Sequence, residues 1–400
     1  MPTDPRKLKE TFSRLERHSG EAAEYFYGRL FAEDPRLRAL FPPAMGAQRG
    51  RLLHALTRIV WSQDSPADLD AYLARLGRDH RKYGVRPEHY PAVGTALLAT
   101  LRAFAAGSWS PEAEAAWAAA YRRAADVMIE AAERDAAALP PWWVAEVAAH
   151  ERRAGDLAVL TLRPGRPLPF SAGQYVTVQT ARWPRVWRPY SIANAPRRDG
   201  TLRLHVRAVP AGWVSGALVR HTRPGDTVLL GPAQGAMTLD PESERDLLLI
   251  GGGTGLAPVK ALAEQAVRSE TRREVRLLVG ARTEADLYDL HDLTMLAAAH
   301  PALTVVPVLS ETQPPRSRPA GSAFADVSPE DVPSAEAMRG DLPDVLDRFD
   351  GWDEHDVYVA GPTEMIRRTV TVLQALGVPL TRVHHDLLKA EDVPAPDGGS

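Results

Sequence analysis

The sequence of 400 residues contains no cysteine. This absence excludes disulfide bonds, thiol nucleophiles, cysteine-ligated zinc and cysteine-ligated iron–sulfur clusters. It also excludes a haem whose iron is bound by a thiolate. If the protein transfers electrons, its cofactors must therefore be held by histidine side chains, backbone groups and non-covalent contacts.

The chain also lacks an apolar run of about 18 residues, the length that crosses a membrane, so we predict no transmembrane helix. The formal net charge is only -3, which gives no indication of a nucleic acid or an anionic membrane as a partner. The segment 1–10 is polar and has no apolar core of the kind found in signal peptides. We therefore expect a cytoplasmic protein.

The first part of the chain carries a helical pattern. Apolar side chains recur at helical spacing, as in Leu52, Leu56 and Ile59. An alanine-rich periodic stretch over 111–137 predicts one long helix. Residues 1–138 are therefore expected to form an all-α domain.

The pattern changes at Pro140-Pro141. Beyond this point, short apolar runs over 157–162, 175–179 and 202–206 are separated by glycine and proline. Such runs are typical of a small antiparallel β-barrel, which we expect over residues 143–243.

A third pattern begins near Asp246. Short apolar runs alternate with helical segments, which predicts a doubly wound α/β domain with a parallel sheet over residues 246–390. The runs cover 247–250, 275–279, 303–308 and 357–359. The stretch 312–343, rich in proline and serine, is expected to be a poorly ordered surface insertion. A disordered tail is expected over 391–400.

A glycine-rich turn follows the first of these runs. Gly251-Gly252-Gly253-Thr254-Gly255 leads directly into a helix, so the backbone can approach a pyrophosphate and the helix N-terminus attracts its charge. Gly361-Pro362 ends a later strand, and ligands bind at the carboxyl ends of parallel strands. The two turns predict a nicotinamide dinucleotide site, and the alternative is a pair of ordinary strand-to-helix turns.

The barrel region carries a candidate flavin site in Arg188-Pro189-Tyr190-Ser191. Arginine pairs with phosphate in a bidentate manner, and tyrosine offers a flat face to an isoalloxazine ring. Serine can donate a hydrogen bond at the flavin edge where a hydride arrives. His205-Val206-Arg207 supplies further candidates, and Gly212 and Ser215 could cap a helix that meets a pyrophosphate. Chance occurrence of the Arg-x-Tyr-Ser string is the alternative.

In this order the strings resemble the ferredoxin–NADP reductase superfamily, over about residues 143–390. The resemblance implies contacts with two nucleotides. At FAD it implies Arg188, Tyr190, Ser191, Gly212 and Ser215, and at the nicotinamide dinucleotide it implies Gly253, Thr254, Gly255, Gly361 and Pro362. Arg282 is a candidate for a 2′-phosphate and is equally compatible with a solvated surface arginine.

Two residues of the helical region are candidates for haem binding. His80 lies on a helix face with Leu69, Leu73 and Leu76. Imidazole is a common axial ligand of haem iron, although such a histidine is also compatible with a satisfied core residue. Tyr27 lies on an earlier helix, where a buried hydroxyl needs a partner, either a ligand or a backbone carbonyl.

The order and spacing of these residues resemble the globin domains of flavohaemoglobins. The matching strings are Tyr25-Phe26-Tyr27-Gly28-Arg29-Leu30-Phe31, Leu40-Phe41, Gln48-Arg49, Asp79-His80 and Glu88-His89-Tyr90. The resemblance covers nearly the whole chain and includes the order of the three domains. It implies that His80 is the proximal ligand, that Tyr27 and Gln48 form the distal pair, that Phe41 packs on the porphyrin and that Tyr90 bonds His80.

The sequence departs from this family at four places. Ala132 stands where an ungapped match expects a glutamate on the last globin helix, and Asp79 stands where a lysine is usual. Asp386-Leu387-Leu388 lacks the aromatic residue expected near the flavin, and the insertion from Thr312 is longer than expected.

The acidic residues at two of these places suggest weak docking of the globin domain on the reductase. If Asp79 and Asp386 meet where the domains join, like charges about 4 Å apart repel by roughly 4 kcal/mol at an effective dielectric constant near 20. We therefore expect slow flavin-to-haem transfer that Asp79→Lys accelerates. The alternative is that Asp79 is simply a solvated helix residue.

Electron counting gives the three domains a common purpose. A nicotinamide delivers two electrons as a hydride, haem iron accepts one at a time, and a flavin accepts the pair and releases single electrons. The resemblance implies an NAD(P)H-dependent nitric oxide dioxygenase that converts NO and O2 to nitrate, with haem b, FAD and NADH or NADPH as cofactors. Two alternatives stay open, namely an NAD(P)H:acceptor oxidoreductase with the globin as electron outlet, and a gas or redox sensor. No obligate protein partner is inferred.

Overall fold

The computed structural model describes residues 5–269, 273–311, 337–349 and 351–385. Along this part of the chain a helical bundle is followed by an antiparallel barrel and then by a parallel sheet with helices on both faces. The predicted fold class is confirmed. None of the described helices combines the length and the apolar character needed to cross a bilayer.

The helical bundle forms because each helix buries one apolar stripe. Its helices are α1 (Pro5–Glu16), α2 (Ser19–Glu33), α3 (Gly46–Trp61), α4 (Pro66–His80), α5 (Tyr90–Phe104) and α6 (Pro111–Ala136). Phe12, Leu30, Leu101 and Trp117 lie at the centre of the core that α1, α2, α5 and α6 share. The predicted long helix is α6, which begins where the Ser110 side chain accepts a hydrogen bond from the Ala113 amide.

Two of the helices that carry predicted haem residues, α3 and α4, pack on different neighbours. Helix α3 packs mainly on α1 and α2, whereas α4 packs mainly on α6. The close approach of α4 to α6 depends on Gly77, because a Cβ atom there would lie 2.2 Å from the Met128 carbonyl oxygen.

The barrel consists of antiparallel strands in the order β4-β3-β6-β1-β2-β5. Its elements are β1 (Trp143–Ala154), β2 (Leu157–Pro164), β3 (Tyr175–Thr180), β4 (Arg188–Ser191), β5 (Leu202–Arg207), α7 (Trp213–Arg220) and β6 (Thr227–Leu230). A bridge between Ile192 and Leu204 brings the end of β4 against β5 and nearly closes the barrel. Side chains on the inner faces of the strands, such as Val178 and Leu204, form its core.

The third domain has a parallel sheet in the order β10-β9-β8-β7-β11-β12. Its strands are β7 (Leu247–Gly252), β8 (Val275–Ala281), β9 (Leu303–Leu309), β10 (Met338–Arg339), β11 (Asp356–Ala360) and β12 (Val383–His385). Its helices are α8 (Leu256–Ala266), α9 (Leu290–Ala299) and α10 (Thr363–Ala375). The chain moves outward from β7 to β10 and returns to the other side of β7 at β11. The carboxyl ends of β7 and β11 therefore form the switch point where such sheets bind ligands.

The predicted insertion over 312–343 is wrong at its C-terminal end. Met338–Arg339 pairs in parallel with β9, and the 3-10 helix Leu342–Arg348 buries Leu342, Val345 and Leu346 against the sheet. The stretch is rich in proline and charged residues, so its composition did not indicate that these apolar residues are buried. The remainder, 312–336, and the predicted tail over 391–400 lie outside the described residues.

Candidate active site

An aromatic cluster lies between α2 and the turn that precedes α3. The ring centroid of Phe41 is 5.5 Å from that of Tyr27 and 5.3 Å from that of Phe31. Burial raises the pKa of the Tyr27 hydroxyl to about 12, so this group remains a hydrogen-bond donor at physiological pH. The hydroxyl donates to the backbone carbonyl of Gln48 over 3.3 Å. The structure thus brings Tyr27, Phe41 and Gln48 together.

The Gln48 side chain also interacts with the Tyr27 hydroxyl, and this interaction lowers the pKa of the hydroxyl, although burial outweighs it. Oε1 of Gln48 accepts a hydrogen bond from Arg51 at 3.1 Å. Arg51 and Gln48 lie on the same turn of α3, so the amide is tied to its own helix.

His80 is the last residue of α4. Its Nδ1 lies 2.8 Å from the carbonyl oxygen of Leu76. Because a carbonyl only accepts, Nδ1 carries the proton and Nε2 keeps its lone pair. Burial lowers the pKa of the imidazole below its usual value, which favours the neutral ring. A neutral imidazole with its Nδ1–H bonded to a carbonyl is the usual form of a metal-ligating histidine, so His80 fits a haem iron.

A cavity of about 310 Å³ adjoins His80 between α4 and α6. Tyr90, Ala132, Glu133 and Trp142 are among the residues that line it. The predicted hydrogen bond between Tyr90 and His80 is not formed, because Nδ1 of His80 is taken by Leu76 in the preceding turn. Burial raises the pKa of the Tyr90 hydroxyl to about 12. Ala132 therefore lines this cavity where the resemblance expects a glutamate, and the neighbouring Glu133 contributes a carboxylate to the same lining.

The segment His80–Tyr83 leaves the end of α4 as a 3-10 turn. It also contacts the connector, residues 137–142, which joins the helical bundle to the barrel. Arg81 forms an ion pair with Asp135 at the end of α6. The same guanidinium donates to the Leu139 carbonyl over 2.6 Å. The chain that leaves the bundle is thus tied to the residue next to His80.

The next residue of this segment contacts the barrel. The Lys82 ammonium lies 2.5 Å from the Asp79 carboxylate and 3.3 Å from the Thr177 hydroxyl of β3, and the residue is 4% exposed. It also lies 5.6 Å from the centre of the Trp187 ring. Next to it, the Tyr83 carbonyl accepts a hydrogen bond from Arg185.

The expected repulsion between Asp79 and Asp386 stays a prediction, and the structure shows attractive partners for Asp79. The carboxylate pairs with Lys82 and accepts a hydrogen bond from Gln234 of the barrel at 3.3 Å. It therefore takes part in the attraction between the two domains. Asp386 lies outside the described residues. A lysine three residues after an aspartate on one helical face is a local signal that would have indicated this pair.

The predicted flavin residues begin immediately after this contact. Trp187 precedes Arg188 at the start of β4, and Arg188, Tyr190 and Ser191 are all half-buried on this edge strand. Ser191 is paired with Tyr175 of β3. The site therefore lies on the side of the barrel that meets the globin domain.

The other predicted flavin residues occupy two different environments. At the start of α7, Ser215 donates to the Gly212 carbonyl and accepts from the Val209 amide, and a Cβ atom at Gly212 would lie 2.4 Å from the Ser215 hydroxyl. On β5, alternation places Val206 in the barrel core and points the flanking side chains outward. Arg207 pairs with Asp156 at 2.8 Å, while His205 is buried against the third domain.

The two glycine-containing turns of the third domain meet at the switch point. The turn Gly253–Gly255 joins β7 to α8, and a Cβ atom at Gly255 would lie 2.4 Å from the Ala360 carbonyl. Gly361 and Pro362 follow directly after Ala360. The backbones of the two turns are therefore in contact, with Thr254 between the two glycines. Arg282 is exposed just beyond the end of β8.

Family models match the chain in three consecutive parts. A globin model matches residues 24–128, an oxidoreductase FAD-binding domain matches 145–238 and an oxidoreductase NAD-binding domain matches 249–371. These ranges lie within the three domains expected from the sequence.

Individual relatives agree with this order. A flavohemoprotein of Chromobacterium violaceum is 31% identical over 404 residues, which cover 95% of this chain and 96% of that protein. The reductase component of a naphthalene 1,2-dioxygenase system from Pseudomonas putida is 32% identical and covers 60% of this chain and 67% of its own. A flavohemoglobin from Malassezia yamatoensis, solved with FAD and haem, shares the fold with a TM-score of 0.70 at 17% identity, over 94% of this chain and 98% of its own.

The fold and the site define an oxidoreductase in which a globin precedes an FAD-binding and an NAD-binding domain. The chain belongs to the flavohaemoprotein family. The predicted cofactor classes, haem, FAD and a nicotinamide dinucleotide, are thereby confirmed.

Proposed function

We propose that the protein is an NAD(P)H-dependent nitric oxide dioxygenase. Each nitric oxide molecule takes up one dioxygen and one electron and leaves as nitrate, and the nicotinamide supplies these electrons in pairs through FAD. The observation that carries the proposal is the contact between the two halves of the molecule. His80 is two residues from Lys82, whose ammonium lies against Trp187, and Trp187 precedes the flavin strand.

The helical domain supplies the oxygen-reacting part of the site. Haem contributes the iron at which oxygen and nitric oxide react. His80 would hold this iron through Nε2, and Phe41 would pack against the porphyrin. Tyr27, whose hydroxyl stays protonated and donates to the Gln48 carbonyl in this structure, would turn this hydrogen bond toward a distal ligand.

The reductase residues divide between the two nucleotides. We assign Arg188, Tyr190, Ser191, Gly212 and Ser215 to FAD, and Gly253, Thr254, Gly255, Gly361 and Pro362 to the nicotinamide dinucleotide. Val206 supports the FAD domain from the barrel core, flanked by His205 and Arg207, and exposed Arg282 is a candidate contact for the adenosine ribose. The reaction is assigned to the cytoplasm, where the reduced dinucleotide is regenerated.

The cavity beside His80 favours a second candidate, an NAD(P)H:acceptor oxidoreductase that uses the globin as an electron outlet. Ala132 and the missing Tyr90 bond leave His80 with a neutral carbonyl partner, which makes the ligand less electron-rich than a carboxylate would. Such a site is less suited to oxygen chemistry.

The two candidates are distinguished by NADH consumption in air with and without nitric oxide. A dioxygenase consumes NADH faster when nitric oxide is added and forms one nitrate per nitric oxide. Tyr27→Phe should lower this stimulated rate and leave ferricyanide reduction unchanged. Unchanged NADH consumption on addition of nitric oxide, with rapid ferricyanide reduction, would identify the acceptor oxidoreductase instead.

A further inference from the structure

Strand β5 turns one histidine away from the barrel and into the adjoining α/β domain. Leu204 and Val206 point into the barrel core, so His205 between them points outward. Its side chain is fully buried at the contact between the two domains. A polar ring in such a place has to be matched by its neighbours.

Tyr288, just before α9, provides this match. Its hydroxyl oxygen lies 2.9 Å from Nδ1 of His205, and the two rings pack edge to face with centroids 5.3 Å apart. Nε2 of His205 lies 3.8 Å from the Asp289 carboxylate, which binds the Lys260 ammonium at 2.5 Å.

The protons of this pair can be assigned. Burial and the nearby cations Lys260 and Arg203 hold the pKa of His205 well below its usual range, so the ring is neutral. The Tyr288 hydroxyl has a single proton and donates it to a backbone carbonyl of the neighbouring turn, so Nδ1 of His205 carries the ring proton and donates to the Tyr288 oxygen. Nε2 has no hydrogen-bond partner among the described residues.

The same hydroxyl reaches the turn that is assigned to the nicotinamide dinucleotide. It lies 3.5 Å from the carbonyl oxygen of Gly253. Gly253 has a φ of +57°, and nothing lies within 4 Å of where its Cβ atom would stand. Gly255, in contrast, is packed against Ala360. Gly253 is therefore the loosely packed end of the turn, and Tyr288 links it to the barrel.

We propose that His205 and Tyr288 are positioning residues that hold the Gly253–Gly255 turn at a fixed position relative to the flavin barrel. His205 fixes the Tyr288 ring, and the ring supports the turn from the side opposite its open face. The nicotinamide then meets the flavin at a set distance. This inference rests on the oxidoreductase assignment and not on the identity of the final oxidant.

The test uses the full-length, FAD-loaded protein with ferricyanide as acceptor. Tyr288→Phe removes the hydroxyl and keeps the ring, so the KM for NADH should rise about fivefold, the size of one neutral hydrogen bond, with FAD content unchanged. His205→Leu should have the same effect, and His205→Asn, which keeps an N–H donor near Nδ1, should restore much of the loss. Amide hydrogen exchange at 253–256 in the nucleotide-free protein should quicken by a similar factor in the two impaired variants.

Tyr358→Phe is the matched control. The Tyr358 hydroxyl is buried in the same domain and donates to the Thr238 carbonyl over 3.1 Å, away from Gly253. It should leave both the KM and the exchange at 253–256 unchanged. Equal effects of Tyr288→Phe and Tyr358→Phe, or no effect of either, would overturn the proposal. If the parent protein does not oxidise NADH, the proposed function fails, whereas the exchange measurement still decides the positioning role.

Discussion

At the scale of single residues, the site depends on two rings whose protonation is set by burial. His80 is held as a neutral imidazole, with Nδ1 on the Leu76 carbonyl and Nε2 left to bind iron. Tyr27 is held as a neutral phenol beside Phe41. Both rings keep one defined hydrogen-bonding role over the physiological pH range.

Replacement of His80 by glycine should remove the axial ligand of the haem. We expect His80→Gly to be purified with little haem and without the native Soret band, because no other histidine of the described residues lines the adjoining cavity. Added imidazole should restore the band, since the cavity beside His80 leaves room for it. His89→Gly, on the nearby 3-10 turn, should keep its haem, and an unchanged spectrum in His80→Gly would contradict the assignment.

Tyr27 makes the protein sensitive to alkali. Its folded pKa of about 12 lies above the value near 10 of an unfolded tyrosine. As pH rises from about 10 to 12, the unfolded state releases a proton that the folded state retains, so the free energy of unfolding falls. Tyr27→Phe should make this fall shallower in urea titrations followed by circular dichroism. Tyr25→Phe, which alters an exposed ring, should leave the slope as it is, and equal slopes in all three proteins would refute the prediction.

At the scale of elements, the position of His80 depends on how closely α4 lies against α6. Gly77 permits this contact, because the Met128 backbone occupies the place of a side chain. The same approach forms one wall of the cavity beside His80. A change at Gly77 therefore acts on the haem ligand through the helix.

Gly77→Ala should lower the free energy of unfolding by about 1–3 kcal/mol, because the added methyl group forces the helices apart. Gly28→Ala is the matched control, since nothing lies within 4 Å of the added atom on α2. There, alanine should stabilise the helix by roughly 0.5–1 kcal/mol. Thermal unfolding followed at the Soret band measures both changes, and a neutral Gly77→Ala would contradict the packing argument.

At the scale of the whole molecule, the domains are joined by a buried charge. The Lys82 ammonium is shielded from solvent between Asp79, Thr177 and Trp187. Because salt screens exposed charges far more than buried ones, flavin-to-haem transfer should depend little on ionic strength.

Lys82→Met should slow haem reduction by NADH and leave flavin reduction unchanged, because the contact between the domains loses a charge-assisted hydrogen bond worth about 1.5–3 kcal/mol. Asp79→Lys should also slow haem reduction, because the new lysine places a second cation beside Lys82. Arg86→Met, at a side chain that is 73% exposed, is the control. Stopped-flow spectroscopy follows the flavin and Soret bands separately. Faster haem reduction in Asp79→Lys would instead support a repulsion between Asp79 and Asp386.

The features that the sequence predicted are those determined by residues close together in the chain. Strand periodicity, glycine turns and the proline break located the domain types and the two turns at Gly253 and Gly361. The barrel partners of Asp79 and Lys82 were not predictable in the same way, because Gln234 and Thr177 are distant from them in sequence. The outward orientation of His205 follows from the alternation of side chains along β5, because Leu204 and Val206 on either side of it point into the barrel core. The string His205-Val206-Arg207, taken as one motif, did not predict this orientation.

The His80–Tyr83 segment has a mechanical consequence. Within four residues the backbone carries the proposed iron ligand His80, the Arg81 anchor of the connector and the Lys82 and Tyr83 contacts with the barrel. A displacement of the His80 ring would therefore move the points at which the other two parts are held. The segment connects the three parts directly, so that a movement at the haem site, the connector or the flavin barrel is transmitted to the other two.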